Sequence, residues 1–167
     1  MNNFLFSSEK NLTLFDTDND YILFDISDEL YAIKILDIKE IVSNRTIVEV
    51  EDLPEYIKGF ANIRNIIFPI FELKQDLALE NSKKYGKYSV IVIFEDPSEK
   101  LALIADSVLD IYNIPQENIK NSSGLDNLSR FIDFEVEMNN RTVKIINTKK
   151  IIKSKYILPI KHLTGAM

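Results

Sequence analysis

The chain has 167 residues, of which 46% are hydrophobic, and it carries a formal net charge of -6 with no cysteine. This apolar content predicts a folded chain with one sizeable core, or two small subdomains that share one. The acidic balance argues against nucleic-acid binding, which needs clustered cations, and the missing cysteines exclude disulfides and thiolate chemistry. No apolar run approaches the roughly 20 residues of a membrane helix, so we expect no direct membrane insertion.

Residues 1–19 are predicted to form an N-terminal extension that ends in a polar, acidic run. From Tyr21 onward the apolar residues recur mostly with period two, and this alternation is typical of β-strands. In chain order, the predicted elements of this part are strands at 21–26 and 30–35 around a turn at 27–29, a bent or short helical segment at 36–41 and a strand at 46–50.

Asp52 is placed to cap a short helix, which holds Pro54 in its first turn and ends at Gly59. A hairpin is predicted next, with its tight turn at Asn65, because asparagine tolerates the left-handed backbone that such turns require. We therefore interpret Gly59 and Asn65 as structural turn residues. The strands of this hairpin are expected at 60–64 and 66–73.

The second half repeats the rhythm of short strands separated by turn residues. Many short strands of this kind predict a mainly β fold, with antiparallel barrels or a sandwich and few helices. The predicted elements are strands at 88–94, 101–105 and 108–114, a loop at 121–124, a hairpin of 131–138 and 143–146 around Asn139-Asn140, a short basic helix at 148–153 and a C-terminal tail at 154–167.

The sequence offers no constellation for catalysis, for a metal or for a cofactor. His162 is the only histidine, and no serine or aspartate near it suggests a catalytic base. The four glycines form no phosphate-binding loop, and no metal-ligand spacing is present. A β-barrel module that binds a small ligand or nucleic acid is an alternative. Such barrels use stacking aromatics among cations, whereas the aromatics here lie in apolar strands.

The segment around Arg64 carries the most informative motif. Residues 58–73 read KGFANIRNIIFPIFEL. This string resembles the signature of CheW-type coupling proteins of bacterial chemosensory arrays, which reads roughly K-G-x-x-N-L-R-G-x-I-x-P-x-x-D-L. Asn65 stands at the glycine of that signature, and Glu72 stands at its usual aspartate.

The resemblance extends over residues 20–153. Residues 38–41, IKEI, resemble the V-x-E-I motif of the family, and residues 101–108 resemble its G-x-x-V-D-x-V segment, with Ala102 at the glycine. The fold implied by this resemblance is two small five-stranded SH3-like β-barrels packed side by side with a few short helices. The domain is then expected at 20–153, between the extension and the tail.

The function implied by the resemblance is that of a non-enzymatic, cytoplasmic scaffold associated with membrane receptor arrays through its partners. Those partners would be the cytoplasmic tip of a chemoreceptor and the regulatory domain of a CheA-type histidine kinase. A regulatory CheW-like domain of a non-flagellar pathway, or a fragment of a kinase, is the alternative within the same family.

Two sets of site residues follow from the resemblance. Glu40 and Arg64 occupy the positions of a glutamate and an arginine that face each other near the receptor site, although an ordinary surface ion pair would also explain them. Four apolar residues match positions that line a groove between the barrels, where a receptor helix would bind. Each of the four is equally compatible with plain core packing. These residues are Ile38, Val90, Val108 and Ile111.

Overall fold

The structure is a computed structural model, and it describes residues 18–73, 85–121 and 130–154. The predicted N-terminal extension up to residue 17, most of the loop at 121–124 and the tail from residue 155 lie outside the described residues. Their predictions are therefore not tested.

The described residues form twelve strands in two sheets of six. Each sheet has five strands of four or more residues and one two-residue strand. Within each sheet one pair of neighbouring strands is parallel, and the other pairs are antiparallel. This architecture confirms the mainly β prediction.

The first sheet has the strand order β10-β11-β12-β2-β1-β9. Its strands are β1 (Asp20–Ile26), β2 (Glu29–Lys34), β9 (Ser107–Asn113), β10 (Lys120–Asn121), β11 (Ile132–Met138) and β12 (Arg141–Ile146). The second sheet has the order β3-β7-β8-β6-β5-β4. Its strands are β3 (Ile38–Ser43), β4 (Ile47–Val48), β5 (Ile57–Ile63), β6 (Ile66–Phe71), β7 (Val90–Phe94) and β8 (Ala102–Ala105). The helical pieces are the helix α1 (Thr148–Ile152) and 3-10 turns at Ile35–Asp37 and Gln116–Asn118.

The core has three parts because the central strands are buried on both faces. In β7, Ile91 and Ile93 pack in a cluster with other residues of the second sheet, while Val92 and Phe94 pack in a cluster that both sheets share. In the first sheet, alternate residues of β1 and β2 divide in the same way between a cluster of their own and the shared one. Strands buried on both faces have continuous apolar runs, which explains the sequence of 90–94. The shared cluster is what joins the two sheets.

An aromatic trio also connects the sheets. The rings of Tyr56 and Phe71 stack with centroids 5.6 Å apart, and the ring of Phe131 meets both edge-on at 5.4 and 5.2 Å. Phe71 lies at the end of β6 and Phe131 immediately precedes β11, so the contacts cross from one sheet to the other. Each such ring pair contributes about 0.5–1.5 kcal/mol beyond the buried area.

Two-residue turns close three hairpins, and both residues of each turn have positive φ. Arg64 and Asn65 have φ of 50° and 62°, and they link Ile63 to its partner Ile66. Positive φ at both positions defines the type I′ turn, whose twist matches that of the flanking strands. The predicted turn at Asn65 is confirmed, and Arg64 shares it. The other two turns are Ser27-Asp28 and Asn139-Asn140.

The predicted helix that ends at Gly59 is wrong. Gly59 lies inside β5, at a bulge where the register with β6 shifts between Ile57 and Gly59. A Cβ atom at this position would overlap the carbonyl oxygen of Val48 and would lie 2.9 Å from Cγ2 of Ile47. Gly59 is therefore a structural residue because the backbone of the neighbouring strand β4 lies close against it, and its assignment to a turn is corrected.

The predicted bent or helical segment at 36–41 is correct only for its first residues. A 3-10 turn occupies Ile35–Asp37, but Ile38 onward is the strand β3, which pairs with β7. Pairing with a strand about fifty residues later in the chain decides the structure of this part. The basic helix predicted at 148–153 is confirmed as α1, with the side chain of Asn147 capping its start.

Candidate functional site

Glu40 and Arg64 form an ion pair, with Arg64 Nη2 2.6 Å from Glu40 Oε1. The Arg64 side chain is 76% exposed and that of Glu40 is 28% exposed. Because the guanidinium is so exposed, water screens the pair, and its contribution to stability is about 0–1 kcal/mol. The pair thus presents an oriented cationic group at the surface more than it stabilises the fold.

The position of this pair follows from the curl of the second sheet. Glu40 lies on β3 at one edge of that sheet, whereas Arg64 lies in the β5–β6 turn, whose strands are three and four places away in the strand order. The two side chains can meet only because the sheet bends round on itself. The type I′ turn holds the backbone of Arg64 at the tip of the hairpin.

Three of the four predicted groove residues lie partly exposed against the shared core cluster. Ile38 begins β3, Val90 begins β7 and Val108 lies on β9, and all three pack on that cluster without being fully buried. They come from both sheets, since β9 belongs to the first and the other two strands to the second. Partly exposed apolar side chains over the junction of the two sheets are compatible with a groove and are not plain core.

Ile111 differs from the other three. It is 42% exposed, and in the described part of the chain it does not pack on any of the three core clusters. Ile22, its partner across β1 and β9, does pack on the shared cluster and is partly exposed, as is Ile41 of β3. Sequence reasoning missed both residues. Ile22 lies within the apolar run 21–24, where periodicity does not separate a surface position from a core one, and Ile41 lies in the segment that was predicted to be bent or helical.

The motif residues Lys58 and Glu72 have a structural role. Lys58 Nζ lies 3.2 Å from Glu49 Oε1 and 3.9 Å from Glu72 Oε1, and it approaches the ring of Tyr85 with 5.5 Å to the centroid. Glu72 is buried, and its backbone N–H donates to the carbonyl of Tyr56 at 2.8 Å. Burial, and then the negative charge of Glu72, raise the pKa of the Tyr85 hydroxyl far above its ordinary value.

Two features are absent from the described ranges, 18–73, 85–121 and 130–154. No group of three or more histidine, cysteine, aspartate or glutamate side chains could hold a metal ion there. In the same ranges, no helix is both long enough and apolar enough to cross a membrane.

Comparison with known proteins agrees with the motif. Residues 20–156 match the family model described as a CheW-like domain. The chain is 26% identical over 151 residues to the chemotaxis protein CheW of Treponema pallidum, which covers 85% of this chain and 86% of that protein. It is also 26% identical over 101 residues to the chemotaxis protein CheW of Klebsiella aerogenes, and this match spans 60% of each of the two proteins.

The fold has a match among solved structures. It is similar to the crystal structure of the scaffolding protein TtCheW from Thermoanaerobacter tengcongensis, with a TM-score of 0.74 and 23% identity. The similarity covers 89% of this chain and 96% of that one, and it supports the pair of SH3-like units. Since the family model spans most of the sequence, the chain belongs to the CheW-like domain family.

Proposed function

We propose that this protein is a non-enzymatic adaptor that couples chemoreceptors to a CheA-type histidine kinase in bacterial chemosensory signal transduction. The observation that carries the proposal is the exposed Glu40–Arg64 ion pair on one of the two sheets of a CheW-like domain. Because the Arg64 side chain is 76% exposed, the pair contributes only about 0–1 kcal/mol to stability and leaves a cationic group at the surface for a partner.

The receptor site in this proposal combines the ion pair with the partly exposed apolar residues. A helix of the receptor tip would place an apolar stripe over Ile38 and Val108, in the manner of a helix bound in a groove. Arg64 would then meet an acidic or amide group of that helix, because guanidinium groups suit planar oxygen ligands. The shared core beneath Ile38 and Val108 gives the groove a rigid floor.

The kinase partner in this proposal rests on family membership. Its regulatory domain would bind a surface separate from the receptor groove, so both partners would bind at once. Calorimetry with a purified receptor-tip fragment and a purified regulatory domain tests this directly. We expect micromolar affinity for each, and the first partner should leave the affinity for the second intact. If neither partner binds, the adaptor proposal is wrong. If the binding of one partner prevents the binding of the other, the two partners do not use separate surfaces.

Replacing Ile38 with glutamine is expected to weaken receptor-tip binding by about 1–3 kcal/mol, the scale of one aliphatic side chain buried in an interface. The free energy of unfolding should fall little, because Ile38 is already partly exposed and no core cavity forms. Calorimetry and thermal melts on the same preparation separate the two effects.

The matched control for this change is Val48→Gln. Val48 is 61% exposed and lies on β4, at the opposite edge of the same sheet. Val48→Gln should alter neither the free energy of unfolding nor the affinity for the receptor tip. If Ile38→Gln instead lowers the melting temperature strongly while the folded fraction binds normally, Ile38 belongs to the core and not to the site.

A further inference from the structure

A cationic pocket of about 580 Å³ opens beside α1 and shares no residue with the Glu40–Arg64 site. Four of the seven residues that line it are basic, namely Arg130, Lys149, Lys150 and Lys153. All four are exposed, although the chain as a whole carries a net charge of -6. Positive charge is thus concentrated in this pocket.

The wall of the pocket is held by hydrogen bonds between the start of β11 and the residue that follows β12. The backbone N–H of Asn147 donates to the carbonyl of Phe131 at 2.8 Å, which fixes α1 next to the start of β11. The side-chain amide of Asn147 donates to both carboxylate oxygens of Asp133, at 2.9 and 2.8 Å. Its side-chain oxygen accepts from the backbone N–H of Lys150 at 2.9 Å. The basic groups therefore project from a fixed frame.

Two of the four basic side chains, Lys150 and Arg130, are held in place by contacts with neighbouring residues. Lys150 Nζ lies 2.8 Å from Asp133 Oδ1, so this carboxylate is already engaged by a lysine and by Asn147. The guanidinium carbon of Arg130 lies 5.9 Å from the centroid of the Tyr56 ring and 5.8 Å from that of Phe131. Contact with these two aromatic rings restrains the guanidinium of Arg130.

Among the described residues, Lys149 and Lys153 have fewer interaction partners than the other two basic residues of the pocket. In the described ranges neither forms an ion pair with a carboxylate. They are four residues apart at the end of α1, and like charges at this spacing destabilise a helix. Ser154 also lines the pocket, and its Oγ is buried with no hydrogen-bond partner among the described residues. A bound anion would relieve this repulsion and add acceptors for these donors.

We propose that this pocket binds a small molecule that carries two or more phosphate groups. Its volume lies in the range of small-ligand sites, about 300–1,000 Å³. Phosphate oxygens are acceptors that lysine and arginine bind strongly, and a molecule with several linked phosphates can engage more than one of these cations at once. The proposal is independent of the adaptor function, because it uses other residues and another ligand class.

The test uses inorganic tripolyphosphate as the probe, with calorimetry on the full chain. The pocket variant is Lys149→Gln with Lys153→Gln, and the matched control is Lys87→Gln with Lys100→Gln, two exposed lysines outside the pocket with the same change in charge. We expect one site in the native protein, binding at least about tenfold weaker in the pocket variant, and no change in the control. The pocket variant should stay folded, since both lysines are exposed.

Three results would overturn the proposal. The first is the absence of tripolyphosphate binding to the native protein. The second is an equal loss of affinity in the two double variants, which would show that only the overall charge matters. The third is binding of a poly-glutamate peptide or of phosphatidylglycerol vesicles in preference to tripolyphosphate, which would assign the pocket to an acidic protein segment or to a lipid surface instead.

Discussion

Arg64→Glu is expected to weaken receptor-tip binding by about 3 kcal/mol, which takes a micromolar interaction out of the range that calorimetry detects. The variant would place two carboxylates side by side, because Glu40 Oε1 lies 2.6 Å from the Arg64 guanidinium in the native pair. It would also repel any acidic group of the receptor. Since the Arg64 side chain is 76% exposed, the free energy of unfolding should change by less than about 1 kcal/mol.

Arg141→Glu is the control for that experiment. Arg141 is also exposed and also adjoins a type I′ turn, but it lies in the hairpin of the first sheet, where it contacts the carbonyl oxygen of Asp28. Arg141→Glu changes the net charge by the same amount as Arg64→Glu, and it should leave the affinity for the receptor tip unchanged. If folded Arg64→Glu protein binds the receptor tip normally, Arg64 is not part of the receptor site. If both variants lose the same affinity, the loss comes from the change in net charge and not from the position of Arg64.

Gly59→Ala is expected to lower the free energy of unfolding by about 3 kcal/mol, near the upper end for an overpacked position. The new Cβ would overlap the carbonyl oxygen of Val48, a backbone atom that cannot rotate away. Relief requires that β4 move from β5, which breaks the pairing of Ile47 with Ala61 and of Val48 with Phe60. Urea denaturation of the two proteins measures the difference.

Gly86→Ala provides the matched comparison, because a Cβ at Gly86 meets no atom within 4 Å. That variant should be as stable as the native protein. A Gly59→Ala protein with an unchanged denaturation midpoint would show that β4 does not lie close against Gly59. The structural role given to this motif glycine would then be wrong.

Much of the fold could be predicted from the sequence because many of its strands pair with a neighbour in the chain. β1 and β2, β5 and β6, and β11 and β12 are hairpins joined by two-residue turns, and turn-favouring residues such as Asn65 mark them. Continuous apolar runs such as 90–94 also indicate strands buried on both faces. Local patterns suffice for elements of this kind.

The remaining features depend on contacts between distant segments. Ile38 and Glu40 were placed in a bent segment, and they form a strand only because β7 pairs with them. Gly59 was placed at a helix end, whereas glycine is required there because the backbone of β4, paired with β5, lies close against it. The basic pocket is assembled differently, because the hairpin of β11 and β12 brings Arg130 beside the lysines of α1. These lysines are evident in the sequence, whereas the pocket that they form with Arg130 was not predicted.

The candidate site was predicted in part. The motif resemblance indicated that Glu40 and Arg64 face each other, and the structure brings them into contact. Whether Ile38, Val90 and Val108 were core or surface could not be read from the sequence, because an apolar side chain on a strand is compatible with either state. The structure places them between these two states, partly exposed on the shared core. Their role in receptor binding stays a prediction.

The most direct measurement of the adaptor proposal is co-sedimentation of a CheA-type kinase with receptor-containing membranes, with and without this protein. We predict that the kinase sediments, and that its activity responds to receptor ligand, only when the native chain is present. The Arg64→Glu chain should fail to support either effect. Equal kinase sedimentation and equal receptor control with no added chain would contradict the account.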